Sequence, residues 1–147
     1  MTREFKKLTH TLYQCKYHIV FCPKYRFRIL TGEIGAYVYR EIYRLCEQKD
    51  KVEIIEATVQ ADHVHMILSI PPKYSVSNIM GYLKGKLAFR VFHNHPSVKK
   101  RLWGGKLWSR GYCVSTVGID ENKIRKYVRW QEGRDKHQEQ SQKRLFD

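Results

Sequence analysis

The sequence is short of acid. Only 14 Asp and Glu stand against 28 Lys and Arg, leaving a net charge of +14 and a pI near 9.8. It also lacks any stretch near the roughly 18 consecutive apolar residues of a membrane span. The N-terminal run MTREFKKLTH is basic but holds no apolar segment, so no secretory signal is expected and a cytoplasmic location is. The four cysteines, Cys15, Cys22, Cys46 and Cys113, contain no C-x-x-C pair, which argues against structural zinc. Without a secretory signal a disulfide framework is not expected either, and buried free thiols are. Repeats, low-complexity blocks and Gly/Ser linkers are absent. At 147 residues the chain fits one domain, read as 1–133, followed by a charged flexible tail at 134–147.

Hydrophobic residues make up 42% of the chain, which excludes wholesale disorder. Ten tyrosines and three tryptophans accompany the excess of cations. Cations suit phosphates and flat rings suit bases, so the composition points to a nucleic-acid partner, with a merely basic surface as the bland alternative.

Residues 16–26 (KYHIVFCPKYR) alternate Tyr17, Ile19 and Phe21 against Lys16, His18 and Val20, and predict a strand stopped at Pro23. Ile34, Val38, Ile42 and Leu45 recur at helical spacing between Gly32 and Lys49. The β-branched run 52–60 and the run 63–70 predict an antiparallel hairpin closed by Pro71 and Pro72. A second helix is expected at 77–93, a fourth strand at 107–117, and a third helix at 121–132, capped by Asp120 and stapled by Ile119 and Ile124. The order βαββαβ plus a C-terminal helix predicts an α+β, ferredoxin-like or RRM-like antiparallel sheet. Its helices are expected on one face, with the other face free for a ligand.

Alternate residues of a strand share a face, so His63 and His65 point the same way, opposite Val64, Met66, Leu68 and Ile70. If the apolar set faces the core, the two imidazoles face away from it, spaced as a metal clamp requires, and Asp62 stands ready to orient one of them. His93-Asn94-His95 has the same spacing but falls at a helix end, where residues two apart do not share a face. On the last helix Tyr127 and Gln131 lie four apart on one face. Lys123, Arg125, Lys126 and Arg129 surround them and could lower a tyrosine pKa, although Ile124 and Val128 border that face and the helix alone favours packing as the role of Tyr127. Finally, Lys84, Lys86, Arg90, Lys99, Lys100, Arg101, Lys106 and Arg110 are interleaved with Trp103, Trp108 and Tyr112, as single-stranded or hairpin nucleic acid requires. The rival reading is a solvated face with the tryptophans closing the core.

In order along the chain, KYHIVFCPKYR, ADHVHMILSIPP, SVSNIMGYLKGK, WSRGYCVSTVG and YVRWQ resemble the HUH single-strand DNA transposases with one catalytic tyrosine, carried by small bacterial insertion sequences. The resemblance covers residues 10–132. It implies that His63, His65 and Gln131 are metal ligands, for Mg2+ or else Mn2+, and that Tyr127 is the nucleophile. It also implies a homodimer whose active sites are shared between subunits, and single-stranded DNA with hairpin ends as partner. Lys84, Lys86, Arg90, Trp108, Arg110, Arg125 and Lys126 are then the expected DNA contacts. A related nickase that does not transpose, or a catalytically silent single-strand binder, are the alternatives. The missing RNP signature counts against the silent binder.

Overall fold

The computed structural model describes residues 5–146, apart from the side chains of Trp103 and residues 139–146. Its centre is an antiparallel sheet built from β3 (Lys16–Phe21), β4 (Glu53–Gln60), β5 (His63–Ser69) and β6 (Cys113–Ser115), in the order β4-β5-β3-β6. The helices α1 (Gly32–Glu47) and α2 (Val76–Asn94) join these strands as the ferredoxin-like reading expects. Strand alternation sends Ile19 and Phe21 of β3 and Val64, Met66 and Leu68 of β5 to one face. There they bury against Val38, Ile42 and Leu45 of α1 and against Ile79, Met80, Leu83 and Leu87 of α2. Ser75 caps α2 by accepting a bond from the Asn78 amide at 3.0 Å.

A short hairpin precedes the sheet, β1 (Lys6–Leu8) paired with β2 (Thr11–Tyr13). Its three-residue strands are too short for an alternation pattern to register in the sequence. Pro96 does not simply stop α2. It opens the one-and-a-half turns of α3 (Pro96–Arg101), where a proline at the first position lacks only an amide that would have no partner.

The strand expected at 107–117 shrinks to Cys113–Ser115. Before it, Trp108 pairs with Pro23, just past β3, in an isolated bridge flanked by bonds from the Ser109 amide to the Cys22 carbonyl and from the Lys24 amide to the Leu107 carbonyl, both 2.9 Å. The Ser109 and Gly111 carbonyls are taken by the Lys84 ammonium instead.

The larger departures concern the last helix, α4. It begins as expected, with Asp120 accepting a bond from the Lys123 amide at 2.8 Å and Ile119 packing into the same apolar cluster as Ile124. It then runs from Glu121 through Gly133 to Phe146, so the segment read as a flexible tail is helical. It also lies across the sheet face expected to be free: Ile124 and Val128 bury against Val20 of β3 and Cys22 just after it. An amphipathic helix must cover its apolar stripe, and the outward side chains of β3 provide the surface. All four cysteines are free thiols; Cys22 and Cys46 are buried, Cys15 and Cys113 partly so.

Candidate active site

β5 holds both candidate histidines on the α4 side of the sheet, because Val64 and Met66 are fully buried on the other. His63 Nδ1 lies 2.9 Å from Asp62 Oδ1. A carboxylate only accepts, so this contact fixes the proton on Nδ1 and leaves the Nε2 lone pair of His63 available. His65 Nε2 is buried without any hydrogen-bond partner. Burial, with the nearby His18 ring, pushes the His65 pKa below its ordinary value and favours the neutral, ligating imidazole. The donor set therefore suits a divalent metal: two imidazoles on one strand, one already oriented by a carboxylate, one with an orphaned nitrogen. Among the described residues, however, no group of three or more His, Cys, Asp and Glu gathers to hold an ion.

Tyr127 and Gln131 are held by other contacts. A cavity of about 190 Å³ beside His63 is lined by Arg26, Asp62, Arg125, Val128 and Arg129, and by neither of them. Gln131 is buried, and its Nε2 donates to the Arg110 carbonyl at 2.8 Å. Tyr127 packs with Val20, Cys22 and Cys113, and its hydroxyl is buried without a partner. The four cations expected to lower its pKa do not do so. Burial raises it, helped by the Cys22 and Cys113 thiols and the Asp135 carboxylate, against a small opposing effect of Arg134. Lys123, Arg125, Lys126 and Arg129 stand on exposed faces of α4.

Three expected DNA contacts are structural groups. The Lys84 ammonium donates to the carbonyls of Ser109 at 2.8 Å and Gly111 at 2.7 Å, and burial pushes its pKa down to about 8. Arg90 Nη1 lies 2.5 Å from the buried Glu41 carboxylate and ties α2 to α1. Trp108 is 7% exposed, sets its edge against Phe21 and donates from Nε1 to the Lys84 carbonyl at 3.1 Å, leaving no ring face for a base. Lys86, Arg110, Arg125 and Lys126 are exposed, and Arg125 forms an ion pair with Glu121 at 2.7 Å.

Two residues at the site escaped the sequence reading. His18 of β3 stacks on His65 with ring centres 5.9 Å apart and carries a buried, unpartnered Nδ1. The alternation that singled out the histidine pair also puts His18 on that face. Asp135, fully buried, accepts hydrogen bonds from the Ser109 hydroxyl and from the Tyr25 amide, with Lys24 Nζ at 3.7 Å. Residues 124, 128, 131 and 135 follow helical spacing, a signal lost by ending the helix at residue 132.

A four-stranded antiparallel sheet with a histidine pair on one strand and a tyrosine on a covering helix belongs among DNA-processing transposases. A crystal structure of a transposase-like protein of Deinococcus radiodurans R1 matches with a TM-score of 0.76 and 29% identity over 86% of this chain and 97% of that one. A tyrosine transposase associated with REP sequences, solved bound to a REP hairpin, shares the fold at a TM-score of 0.50 and 15% identity, over 84% of this chain and 68% of the other. The family model described as "Transposase IS200 like" matches residues 11–131, and the chain belongs to that family. It is 47% identical over 135 residues to the transposase of insertion sequence IS200 from Salmonella typhimurium, covering 92% of this chain and 88% of that protein. It is 37% identical over 126 residues to the ISDra2 transposase TnpA of Deinococcus radiodurans, covering 85% and 89%. The chain is thus a transposase of the IS200 type, and no helix among the described residues is long and apolar enough to cross a membrane.

Proposed function

We propose that this transposase cuts and rejoins single-stranded DNA at insertion-sequence ends through a 5′-phosphotyrosine intermediate, with Tyr127 as nucleophile. His63 and His65 hold a divalent metal, Mg2+ or Mn2+, with Gln131 as third ligand and Asp62 orienting His63. The observation that carries this reading is the orphaned, buried Nε2 of His65, beside a His63 whose other nitrogen is already occupied by Asp62. Such a nitrogen costs about 1–3 kcal/mol if nothing fills it.

The Tyr127 oxygen attacks the scissile phosphorus, and the bond to the 3′ oxygen breaks. The electron pair and a proton end on that oxygen as a free 3′-hydroxyl, while the phosphate stays on tyrosine as a diester. One phosphate ester replaces another, so the reverse attack by a 3′-hydroxyl rejoins strands without an external energy source. The metal, when bound, polarises a non-bridging phosphoryl oxygen and offsets the charge of the transition state. Exposed Arg125 and Arg129, at the cavity beside His63, suit a phosphate backbone entering there.

The arrangement described is a resting one: burial keeps the Tyr127 phenol protonated, and Gln131 is bonded to the Arg110 carbonyl. Completing the site needs α4 to be supplied differently, and we assign that role to a homodimer in which the partner's helix brings tyrosine and glutamine to this chain's histidines. Gly118, at the link between β6 and α4, is the expected hinge. Single-stranded DNA with hairpin ends is the partner this reading assigns, in keeping with the REP hairpin bound by the relative of similar fold. With DNA as substrate, the working location is the bacterial or archaeal nucleoid.

The test is cleavage of single-stranded DNA carrying the ends of the surrounding element. The expected product is a strand covalently attached to protein through its 5′ phosphate, formed only with a divalent ion. Undiminished cutting in excess chelator, or no adduct with a strand that is nonetheless cut, would overturn the reading.

A further inference from the structure

The turn after β3 is bent into a conformation that few side chains adopt. Tyr25 and Arg26 both lie in the left-handed region, at φ 59° and 55°. Neither is the glycine that such positions favour, and each costs of order 1 kcal/mol or more unless the surroundings impose it. The surroundings do: the fully buried Asp135 of α4 accepts the Tyr25 amide at 2.9 Å. The bend exposes Phe27, 38% accessible, with the Tyr25 ring packed behind it at 5.5 Å.

These rings form one wall of a cavity of about 530 Å³. Arg28, Arg101 and Lys136 surround it, against the single carboxylate of Glu132, which already pairs with Lys136 at 3.3 Å and Arg26 at 3.5 Å. The volume falls within the usual range for small-ligand pockets. One apolar ring face ringed by cations is the chemistry of a nucleotide, with the base on the ring and phosphates on the guanidinium and ammonium groups. The cavity also continues the proposed active site. Arg26 lines both this cavity and the one beside His63, and its Nε lies 3.7 Å from Asp62, the carboxylate that orients His63.

We propose that this cavity is a nucleotide subsite that holds one unpaired base of the DNA strand next to the scissile phosphate, stacked on Phe27 and gripped through its backbone by Arg28 and Arg101. The inference rests on the reading of the chain as a single-strand cutting enzyme, and it assigns the turn at 24–28 a part in choosing where the strand is cut. The strained turn serves this purpose by turning Phe27 outward beside the histidine strand, where an extended chain would continue along the sheet.

The test measures affinity of the full chain, carrying Tyr127→Phe to prevent cutting, for a DNA hairpin alone and for the same hairpin with a ten-nucleotide unpaired arm at its 5′ or 3′ end. Each arm carries 2-aminopurine at successive positions. The expected result is fluorescence quenching at one arm position, and a loss of about tenfold or more in armed-hairpin affinity on Phe27→Ala, with bare-hairpin affinity unchanged. Arg28→Ala, at a side chain 75% exposed whose loss does not threaten folding, is expected to weaken arm binding severalfold and lower its salt dependence. Equal loss for bare and armed hairpins, or unchanged arm affinity in Arg28→Ala, overturns the subsite. A change in oligomeric state in Phe27→Ala with arm affinity intact would mean that a protein surface covers the ring, and would overturn it too. A parent protein that binds neither arm nor hairpin overturns the single-strand reading itself, whereas arm-dependent binding indifferent to both substitutions overturns the subsite alone.

Discussion

The two faces of the sheet are built by opposite rules. On one, α1 and α2 press a continuous apolar layer onto Ile19, Phe21, Val64, Met66 and Leu68. The buried Glu41 there is matched by Arg44 at 2.7 Å and by Arg90 at 2.5 Å, while His95 Nδ1, at the end of α2, has no partner. On the other, α4 contributes only Ile124 and Val128 to a small buried cluster. Around that cluster stand unmatched groups: the ring nitrogens of His18 and His65 and the hydroxyl of Tyr127. Unsatisfied buried polar groups cost stability, so their concentration on the α4 side sets that face apart from the one that secures the fold, and it is where the proposed chemistry is placed.

The sharpest way to break that division is to remove one oxygen. Tyr127→Phe keeps the packing against Val20, Cys22 and Cys113 and deletes a hydroxyl that bonds to nothing. Strand cleavage is expected to fall by several orders of magnitude while the melting temperature holds or rises. Normal cutting by this variant would make Tyr127 a packing residue. Its counterpart is His65→Ala, expected to lose both cleavage and Mn2+ binding measured by calorimetry without DNA. If sites are shared, mixing the two dead proteins under conditions of subunit exchange restores part of the activity, since one site of the heterodimer is then intact. No recovery in proven heterodimers would mean that each site is built within one chain.

A second comparison reads stability on each face. Leu83→Ala, in the fully buried layer under α2, is expected to cost about 2–5 kcal/mol in denaturant unfolding. Val128→Ala, on the α4 side, is expected to cost about 1–2 kcal/mol, as fewer atoms leave a smaller cluster. Equal costs would show that α4 is as much a part of the cooperative core as α2, which would leave little freedom for it to move to a partner.

How much of this could be read from the residues follows the same division. The core face announces itself: alternation in β3 and β5 and helical spacing in α1 and α2 are direct consequences of burial, and the βαββαβ order follows from them. The histidine pair and its carboxylate neighbour were legible for the same reason, since the apolar partners of the strand fix which way the imidazoles point. What escaped depends on contacts distant in sequence. Lys84 reads as a surface cation until the Ser109 and Gly111 carbonyls are seen to take it, and Arg90 until Glu41 does. Trp108 reads as a stacking ring until Phe21 and the Lys84 carbonyl enclose it. A pattern with 28 cations gives no means of telling which few are spent on the fold.

Lys84 supplies the next prediction. Burial lowers its folded pKa to about 8 from 10.5, so the unfolded chain holds that proton more tightly. Stability therefore gains from this residue as pH rises through about 8 toward 10.5, the range where the unfolded chain carries the extra proton. Lys84→Met is expected to remove that gain, seen as a flatter dependence of the urea midpoint on pH between 7.5 and 9.5. Its affinity for single-stranded DNA is expected to stay within about twofold of the parent, because the ammonium was never free for phosphate. A loss of affinity comparable to that of Lys86→Ala would return Lys84 to the DNA surface.

The smallest effect should come from an exposed cation at the mouth of the histidine cavity. Arg125 lines that cavity, yet its guanidinium is 62% exposed and pairs with Glu121 one turn earlier on α4. An exposed pair of this kind contributes less than about 1 kcal/mol to stability, so Arg125→Ala should leave the melting temperature nearly unchanged. Its loss should instead appear in the salt dependence of binding. Each phosphate contact removed lowers the slope of log affinity against log salt by about 1, and it does so alike for all base sequences. The expected outcome is a severalfold weaker complex at low salt that converges on the parent as salt rises. A slope unchanged within error would place the strand away from the cavity beside His63, and a loss that varied with base sequence would make Arg125 a reader of bases rather than a phosphate contact.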